Sequence, residues 1–381
     1  MLHSFLRHFD RINDKYGAWL FYIGLFLMIV SYYWFSTSEE MPKDYFILRK
    51  AIFNISKSLL ILRTLLFVRR YPRYVLLCIA IYPILKFSAY LCGWNVLTTS
   101  FIIIAASKDT DIKQSLRIYL IAFVLVLLAA PISWNIGWTG EVVKHKYGLV
   151  GHSFGFSNPN ALAALVQMLA LLALCFWNVH KTSGIWITCW TTALFVGILT
   201  LSMTSVVILL LAPVLYYFIK KHPVPAWSLA LLPWLFLLAS IILSCYYGPS
   251  YGETTFESRF SIPALVYQDY GLSLFGQDYG FTSVAKALKT GTHPLCVDNA
   301  YMHLVLCDGI VVALLVNVFF SLLLYRIGKI SQPLLIAFAI LIALSGMMEL
   351  VMLSSVFNYL LLYYFHSSPP PSSTVQKVPD P

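Results

Sequence analysis

Long apolar runs recur along the whole 381-residue chain, and short polar breaks separate them. Each run is close to the roughly 20 residues that carry an α-helix across a hydrocarbon core of about 30 Å. The pattern predicts an all-α, polytopic membrane protein with about 12 transmembrane helices in one domain over residues 1–366. The predicted spans are residues 17–36, 45–67, 74–91, 94–107, 118–135, 158–177, 185–201, 205–219, 227–246, 299–324, 333–348 and 350–365.

Composition agrees with this class, because 59% of the residues are hydrophobic and only 11% are charged. Soluble domains carry roughly 25% charged residues, and no soluble domain fits between the runs. The first run lacks a small-residue cleavage site before Glu39 and Glu40, which predicts a retained span. The second run, 45–67, is interrupted by charges, and an amphipathic interfacial helix is the alternative there. The tail at 367–381 is rich in proline and serine, which predicts disorder.

The net charge of +10 is concentrated in the breaks between spans. With the amino terminus in the cytoplasm, every basic cluster falls on the cytoplasmic side, as the positive-inside pattern requires. We therefore expect both termini in the cytoplasm, and the charge does not indicate nucleic-acid binding. The clusters are Arg69, Arg70 and Arg73; Lys108, Lys113 and Arg117; Lys181; Lys220 and Lys221; and Arg326 and Lys329.

The opposite, outer side then holds a loop at 136–157, a hairpin at 201–205, a long segment at 247–298 and a turn around Glu349. A loop of about fifty residues is usually functional or disordered. The aromatic residues of the long segment and its FESRF and LFGQDYG strings favour order. Stacking on sugar rings and anchoring at the membrane interface are both expected uses of these aromatics. Recognition or chemistry is expected on this side.

One outer stretch, GHSFGFSNPN at residues 151–160, predicts the start of a helix. Asn is a preferred N-cap and Pro is favoured at the first helical position, so Asn158 and Pro159 mark the start of the sixth span. The unpaired N–H groups at such an end favour anions, although the two residues have a purely structural use as caps. Possible cationic partners nearby are Lys144, Lys146 and His152.

Short motifs follow one another along the outer segments. They are Gly155-Phe156 with Asn158-Pro159-Asn160; Ser202-Met203-Thr204-Ser205; Arg259; Leu274-Phe275-Gly276 with Gly280; Asp298-Asn299-Ala300-Tyr301 with Gly309; and Glu349 with Asn358. In order and placement, the motifs resemble those of the superfamily of Wzy-type polysaccharide polymerases and O-antigen ligases, over roughly residues 140–360. The resemblance implies a GT-C-like fold.

The chain departs from the family pattern in places. Many relatives have an arginine just before the Gly-Phe segment, where this chain offers Lys146 or His152. Many have Ser-Arg in the hairpin, where this chain has Ser202-Met203. Ligases of the superfamily tend to have a histidine at the position of Asp298, which favours a polymerase here.

The resemblance implies a metal-independent glycosyltransferase without a cofactor, in the bacterial cytoplasmic membrane. It would polymerise undecaprenyl-pyrophosphate-linked oligosaccharide repeat units on the outer side, using this lipid-linked oligosaccharide as donor and acceptor. A flippase and a chain-length regulator are the implied protein partners, besides membrane lipid. Alternatives are a ligase that transfers the glycan to another acceptor, a flippase or transporter, and a non-enzymatic scaffold.

Arg259 is the only arginine of the long outer segment. Its planar, permanently charged guanidinium suits a departing pyrophosphate, and an ion pair with Glu253 or Glu257 is the alternative use. The seven cysteines show no spacing typical of a metal site, and no metal-binding string occurs in the outer segments.

A base is needed near the reacting carbon to accept the proton of the attacking sugar hydroxyl. Asp298, His303 and Glu349 are the candidates by position, and an N-cap role is the alternative for Asp298. The candidate substrate-binding residues are Lys146, His152, Asn158, Asn160, Ser202, Asn299 and Tyr301.

Overall fold

The computed structural model describes residues 16–33, 43–67, 70–137, 139–146, 148–156, 158–177, 179, 181–252, 254–282, 293, 295–356 and 358–365. Only the backbone is described for residues 33, 43–46, 145, 146 and 255. The tail predicted at 367–381 lies outside the described residues.

Most of the described chain is α-helical, as predicted. The helices are α1 (Ala18–Tyr33), α2 (Lys43–Leu65), α3 (Pro72–Cys92), α4 (Val96–Ala106), α5 (Ile112–Asn135), α6 (Pro159–Phe176), α7 (Thr182–Thr200), α8 (Met203–Lys221), α9 (Ala226–Tyr247), α10 (Thr255–Tyr270), α11 (Ala300–His303), α12 (Ile310–Ile330) and α13 (Pro333–Ser345). A π-helical turn occupies Leu304–Asp308, and two 3-10 helices occupy Leu350–Leu353 and Tyr359–Phe365.

Seven of the described helices are long and apolar enough to cross a membrane, and the protein is a membrane protein. They are α3, α5, α6, α7, α8, α9 and α12. Shorter apolar helices are α1, α4 and α13. Helix α2 has a suitable length but carries the charges that interrupt the predicted second span.

Two predicted spans differ from single transmembrane helices. The span predicted at 299–324 is divided, because α12 begins only at Ile310, after the π-helical turn and Gly309. The span predicted at 350–365 is a pair of short 3-10 helices. Hydropathy measures how apolar a window is and does not report which hydrogen bonds its backbone makes. Both segments therefore look like ordinary spans in the sequence.

Side chains of neighbouring helices satisfy backbone groups in the segment at 350–365. The Ser100 hydroxyl, on α4, donates to the Leu353 carbonyl at 2.8 Å and accepts from the Ser355 N–H at 2.8 Å. The Tyr119 hydroxyl, on α5, donates to the Ser355 carbonyl. A backbone away from water needs such partners wherever it is not α-helical. The segment thus depends on α4 and α5 for its conformation.

Contacts define two ends of the helical bundle. At one end, which we call the basic end, the Lys108 ammonium lies over the rings of Tyr71 and Phe365, at 4.3 and 5.2 Å from their centroids. Arg63 donates to the Lys108 carbonyl, and Arg326 donates to the Tyr364 carbonyl. Glu349 and the start of α12 lie at the other end of α13 and α12, which we call the site end.

A β-hairpin lies at the site end and adds a small two-stranded sheet to the mostly helical described chain. Strands β1 (Val143–Lys146) and β2 (Leu149–His152) pair antiparallel, with Val143 opposite His152. Gly151 of β2 lies against the end of α7, where an added Cβ would come within 2.6 Å of the Thr200 carbonyl oxygen. The hairpin is therefore packed on the bundle and holds β1 in place.

Gly309 joins the π-helical turn to α12, and its backbone lies directly against the backbone at 274–276. Its φ is +95° and its ψ is 158°, a region that is open essentially to glycine alone. An added Cβ would lie 2.4 Å from the Gly276 nitrogen and 2.6 Å from the Leu274 oxygen, and both are backbone atoms. The chain at 274–276 is thereby packed directly against the start of α12.

We expect Gly309→Ala to destabilise the protein strongly for two reasons. Alanine is strained at this φ and ψ, and its Cβ would overlap backbone atoms of residues 274 and 276. Gly248→Ala is the matched control, since Gly248 has φ +68° and ψ 178° but open space around its Cβ position. Strain alone costs about 1–3 kcal/mol in this region. Thermal unfolding in detergent should show a clearly larger loss for Gly309→Ala. Equal losses would contradict the close approach.

Candidate functional site

Arg259 is the centre of a charged cluster at the site end. It lies on α10, whose first turn is capped by the Thr254 hydroxyl accepting from the Glu257 N–H at 3.1 Å. The Arg259 side chain is 10% exposed. Its Nη1 pairs with Asp298 Oδ2, and its Nη2 lies 3.4 Å from Glu349 Oε1. The guanidinium is therefore held between two carboxylates that are distant in the sequence.

One donor of this guanidinium has no protein partner. Arg259 Nε is buried and makes no hydrogen bond within the part of the chain that the structure describes. A buried polar group without a partner is uncommon and calls for a physical explanation. This N–H is the guanidinium donor that could bind an anion without displacing a described protein partner.

Asp298 lies just before α11 and faces Arg259. The N-cap of α11 is Asn299, whose Oδ1 accepts from the N–H groups of Tyr301 and Met302, both at 3.1 Å. The alternative N-cap role for Asp298 is therefore wrong by one residue. Asp298 Oδ1 instead accepts from Cys296 Sγ at 3.0 Å. Burial raises the pKa of the Cys296 thiol to about 11, so this thiol is a neutral donor.

Glu349 lies in the turn after α13 and is the second acid on Arg259. Its side chain is 21% exposed. Burial raises its pKa above the usual range, whereas the charges of Arg259 and Lys144 and a hydrogen bond with Thr204 act in the opposite direction. Desolvation is the largest of these effects, and it favours the neutral acid.

Lys144 adds a second cation to the cluster. It lies on β1, and its Nζ donates to Asn160 Oδ1 at 3.4 Å. Its charge also reaches Glu349. Asn160 and Thr204 lie in the first turns of α6 and α8, so these two helices point their amino ends at the cluster.

From the sequence, Lys144 was predicted only as a possible cationic partner of an anion, whereas Lys146 was predicted to bind substrate. No feature of the sequence distinguishes the two lysines, which lie two residues apart on β1. The Lys146 side chain lies outside the described atoms, so its predicted role stays a prediction. His152, on β2, forms a hydrogen bond through its Nδ1 with Glu141 Oε1 at 2.7 Å.

The predicted helix start at Asn158 is confirmed. Asn158 is the N-cap of α6, its Oδ1 accepts from the Ala161 N–H at 2.8 Å, and Pro159 occupies the first turn. Ser202 is the N-cap residue of α8 and is buried. Both positions therefore lie at helix amino ends, where backbone N–H groups favour anions.

Asn299 and Tyr301 have structural partners. The Asn299 side chain is fully buried, and its Nδ2 donates to Ser240 Oγ at 3.0 Å in addition to the cap. The buried Tyr301 hydroxyl donates to the Ala343 carbonyl at 2.8 Å. Their described contacts fix α11 against α9 and α13, and substrate binding by either residue stays a prediction.

His303 makes its described polar contacts with Val297 and Asp308. Within the described chain, no hydrogen bond or ion pair joins His303 to Arg259, Asp298 or Glu349. Its Nδ1 contacts the Val297 carbonyl oxygen at 3.2 Å, and its Nε2 lies 3.7 Å from Asp308 Oδ2. The π-helical turn brings these two residues together, because residues five apart on an α-helix are offset by about 140°.

The cluster is better built for an anion than for a metal. Among the described residues, no group of three or more His, Cys, Asp or Glu side chains could hold a metal ion. Arg259 and Lys144 supply cationic donors, and α6 and α8 supply helix amino ends. Asp298 and Glu349 supply proton acceptors beside these donors.

No family model, curated protein or solved structure matches the chain. The resemblance to the Wzy-type superfamily therefore rests on the motifs in the sequence.

We expect Asn158→Ala to lower stability by about 1 kcal/mol, because the Ala161 N–H loses its side-chain acceptor. Gln332→Ala is the matched control, since Gln332 also precedes a first-turn proline but its side chain makes no cap hydrogen bond. Chemical unfolding in detergent should show a loss for Asn158→Ala and little change for the control. A similar loss in both variants would argue against the cap.

Proposed function

We propose that the protein is a membrane glycosyltransferase that polymerises undecaprenyl-pyrophosphate-linked oligosaccharide repeat units into a surface polysaccharide. The observation that carries the proposal is the buried guanidinium of Arg259, held between Asp298 and Glu349 beside Lys144. These residues come from the segments predicted to be outer, in which the motifs that resemble the family occur. The proposed reaction needs no nucleotide, because the pyrophosphate already activates the donor sugar.

Arg259 would bind the pyrophosphate of the donor. A guanidinium presents its donors in a planar fork that matches phosphate oxygens, and it keeps its charge at every physiological pH. Its Nε has no hydrogen-bond partner among the described residues and would donate to the anion once the anion reaches it. Lys144 and the amino ends of α6 and α8 add positive potential around the same point. Together they would stabilise the charge that develops on the leaving pyrophosphate.

Asp298 or Glu349 would accept the proton of the acceptor hydroxyl. Both carboxylates lie on Arg259, so a pyrophosphate on that guanidinium brings the reacting sugar carbon close to them. Proton transfer by a positioned carboxylate typically contributes about 10²–10⁴-fold to a rate. His303 is not part of this proposal, because its described contacts place it with Asp308.

The orientation of the chain follows from the same proposal. The basic end carries Lys108, Arg63 and Arg326 and would face the cytoplasm, together with both termini. The site end would then face the outer side of the bacterial cytoplasmic membrane. A flippase would deliver the lipid-linked repeat unit to this side, and a chain-length regulator would act on the product.

Reconstitution tests this function directly. Purified protein in liposomes, supplied with lipid-linked repeat units alone, should produce a ladder of longer glycans. Transfer only to an added acceptor of another class would instead identify a ligase. Movement of the intact lipid-linked unit across the bilayer without new glycosidic bonds would identify a flippase.

We expect Arg259→Lys to reduce polymer formation by about 100-fold or more, because lysine keeps the charge but loses the fork that spans both acids and the phosphate. Arg326→Lys at the basic end is the matched control and should retain activity. The measurement is the rate of ladder formation at equal protein abundance. Full activity of Arg259→Lys would remove this residue from the mechanism.

A further inference from the structure

When Glu349 is ionised, the charges of the described residues of the Arg259 cluster cancel before any substrate binds. Arg259 and Lys144 are the cations, and Asp298 and Glu349 are the acids. Thr204 and Asn160 contribute neutral polar groups, and Cys296 contributes a neutral thiol. A pyrophosphate that enters this cluster while Glu349 is ionised therefore adds negative charge to a set of described residues that has no net positive charge.

Binding to Arg259 also requires a change of partners. Its Nη1 and Nη2 already contact Asp298 and Glu349, and only Nε is unpartnered among the described residues. An anion that takes the guanidinium face must loosen at least one carboxylate. A carboxylate that loses a cation and gains an anion nearby becomes a weaker acid.

Glu349 is the carboxylate that separates from Arg259 more readily when an anion binds. Its Oε1 lies 3.4 Å from Arg259 Nη2, whereas Asp298 pairs with Nη1. The Glu349 side chain is 21% exposed and that of Asp298 is 31% exposed, so Glu349 is less stabilised by water as an anion. Asp298 also keeps the Cys296 thiol as a donor when Arg259 turns away.

We infer that binding of a lipid diphosphate is coupled to uptake of one proton by Glu349. This inference rests on the proposed function and deepens it. When the free protein binds the diphosphate, one proton from the solution converts the Glu349 carboxylate into a carboxylic acid. No covalent bond of the diphosphate changes. The protonated carboxyl then donates a hydrogen bond to a phosphate oxygen. Asp298 remains ionised and is the base for the acceptor hydroxyl.

The sign of the pH dependence follows from linkage. Burial raises the pKa of Glu349 in the free protein, and the diphosphate raises the pKa further in the complex. Protons are taken up wherever the pH lies between these two values, and within that interval the affinity for diphosphate falls as pH rises. The groups that face Glu349 are Arg259 from α10, Lys144 from β1, Thr204 from α8 and Cys296 before α11.

Titration calorimetry of the full protein in detergent tests this inference. The probe is undecaprenyl diphosphate without sugars, titrated in pairs of buffers with different ionisation enthalpies, at steps from about pH 5 to about pH 9. Wild-type protein should take up protons, with a maximum inside this range. Glu349→Gln should lose this maximum and bind more tightly than wild type at the upper end. Titration of the diphosphate itself is common to both proteins, so their difference isolates Glu349.

Two further variants keep the test decisive. Asp298→Asn should retain the proton uptake, because the carboxyl that takes up the proton is that of Glu349. Lys144→Gln should move the maximum to higher pH, since Lys144 lowers the pKa of Glu349. Should Glu349→Gln fail to fold, as judged by size-exclusion chromatography, the Lys144→Gln shift decides instead. Identical uptake in wild-type protein and Glu349→Gln, or an unmoved maximum in Lys144→Gln, would overturn the inference.

These results are distinguishable from failure of the proposed function. Proton-linked binding without any ladder from lipid-linked repeat units would leave the inference standing and remove the polymerase. Ladder formation without proton uptake would leave the polymerase standing and remove the inference.

Discussion

A buried guanidinium has to be paired, and this requirement organises the site end of the protein. Arg259 is almost fully enclosed, and leaving its charge alone in such a place would cost several kcal/mol. Asp298 and Glu349 supply the pair from segments about forty and ninety residues further along the chain. Helix α10, the start of α11 and the turn after α13 must therefore meet for the charge to be tolerated.

The neighbouring elements hold this meeting point in place. Asn299 caps α11 and anchors it to α9 through Ser240, so the position of Asp298 is fixed by the residue that follows it. Gly309 allows the chain at 274–276 to pack on the start of α12. The β-hairpin presents Lys144 beside Asn160. Ordinary packing and capping thus supply the geometry that the proposed chemistry uses.

The sequence predicted the helical membrane class and the residues that meet on Arg259, for physical reasons. Apolar length identifies helices. A lone arginine is recognisable in the long segment at 247–298, and Glu349 is recognisable beside its apolar neighbours. Lys144 was named only as a possible cationic partner, because a four-residue strand is too short for a hydropathy window to register. His303 was grouped with Asp298 and Glu349 by its position in the chain, whereas the π-helical turn directs it towards Asp308. Hydrogen-bond patterns of this kind depend on tertiary contacts that α-helical periodicity does not contain.

The segment at 350–365 obtains its conformation from the first half of the chain. Its carbonyls at Leu353 and Ser355 accept from Ser100 and Tyr119, and its end at Phe365 closes over Lys108. During synthesis these partners emerge long before the segment itself. The hydrogen bonds that fix the segment can consequently form only after α4 and α5 have been synthesised, so this part of the fold is completed from the amino-terminal side.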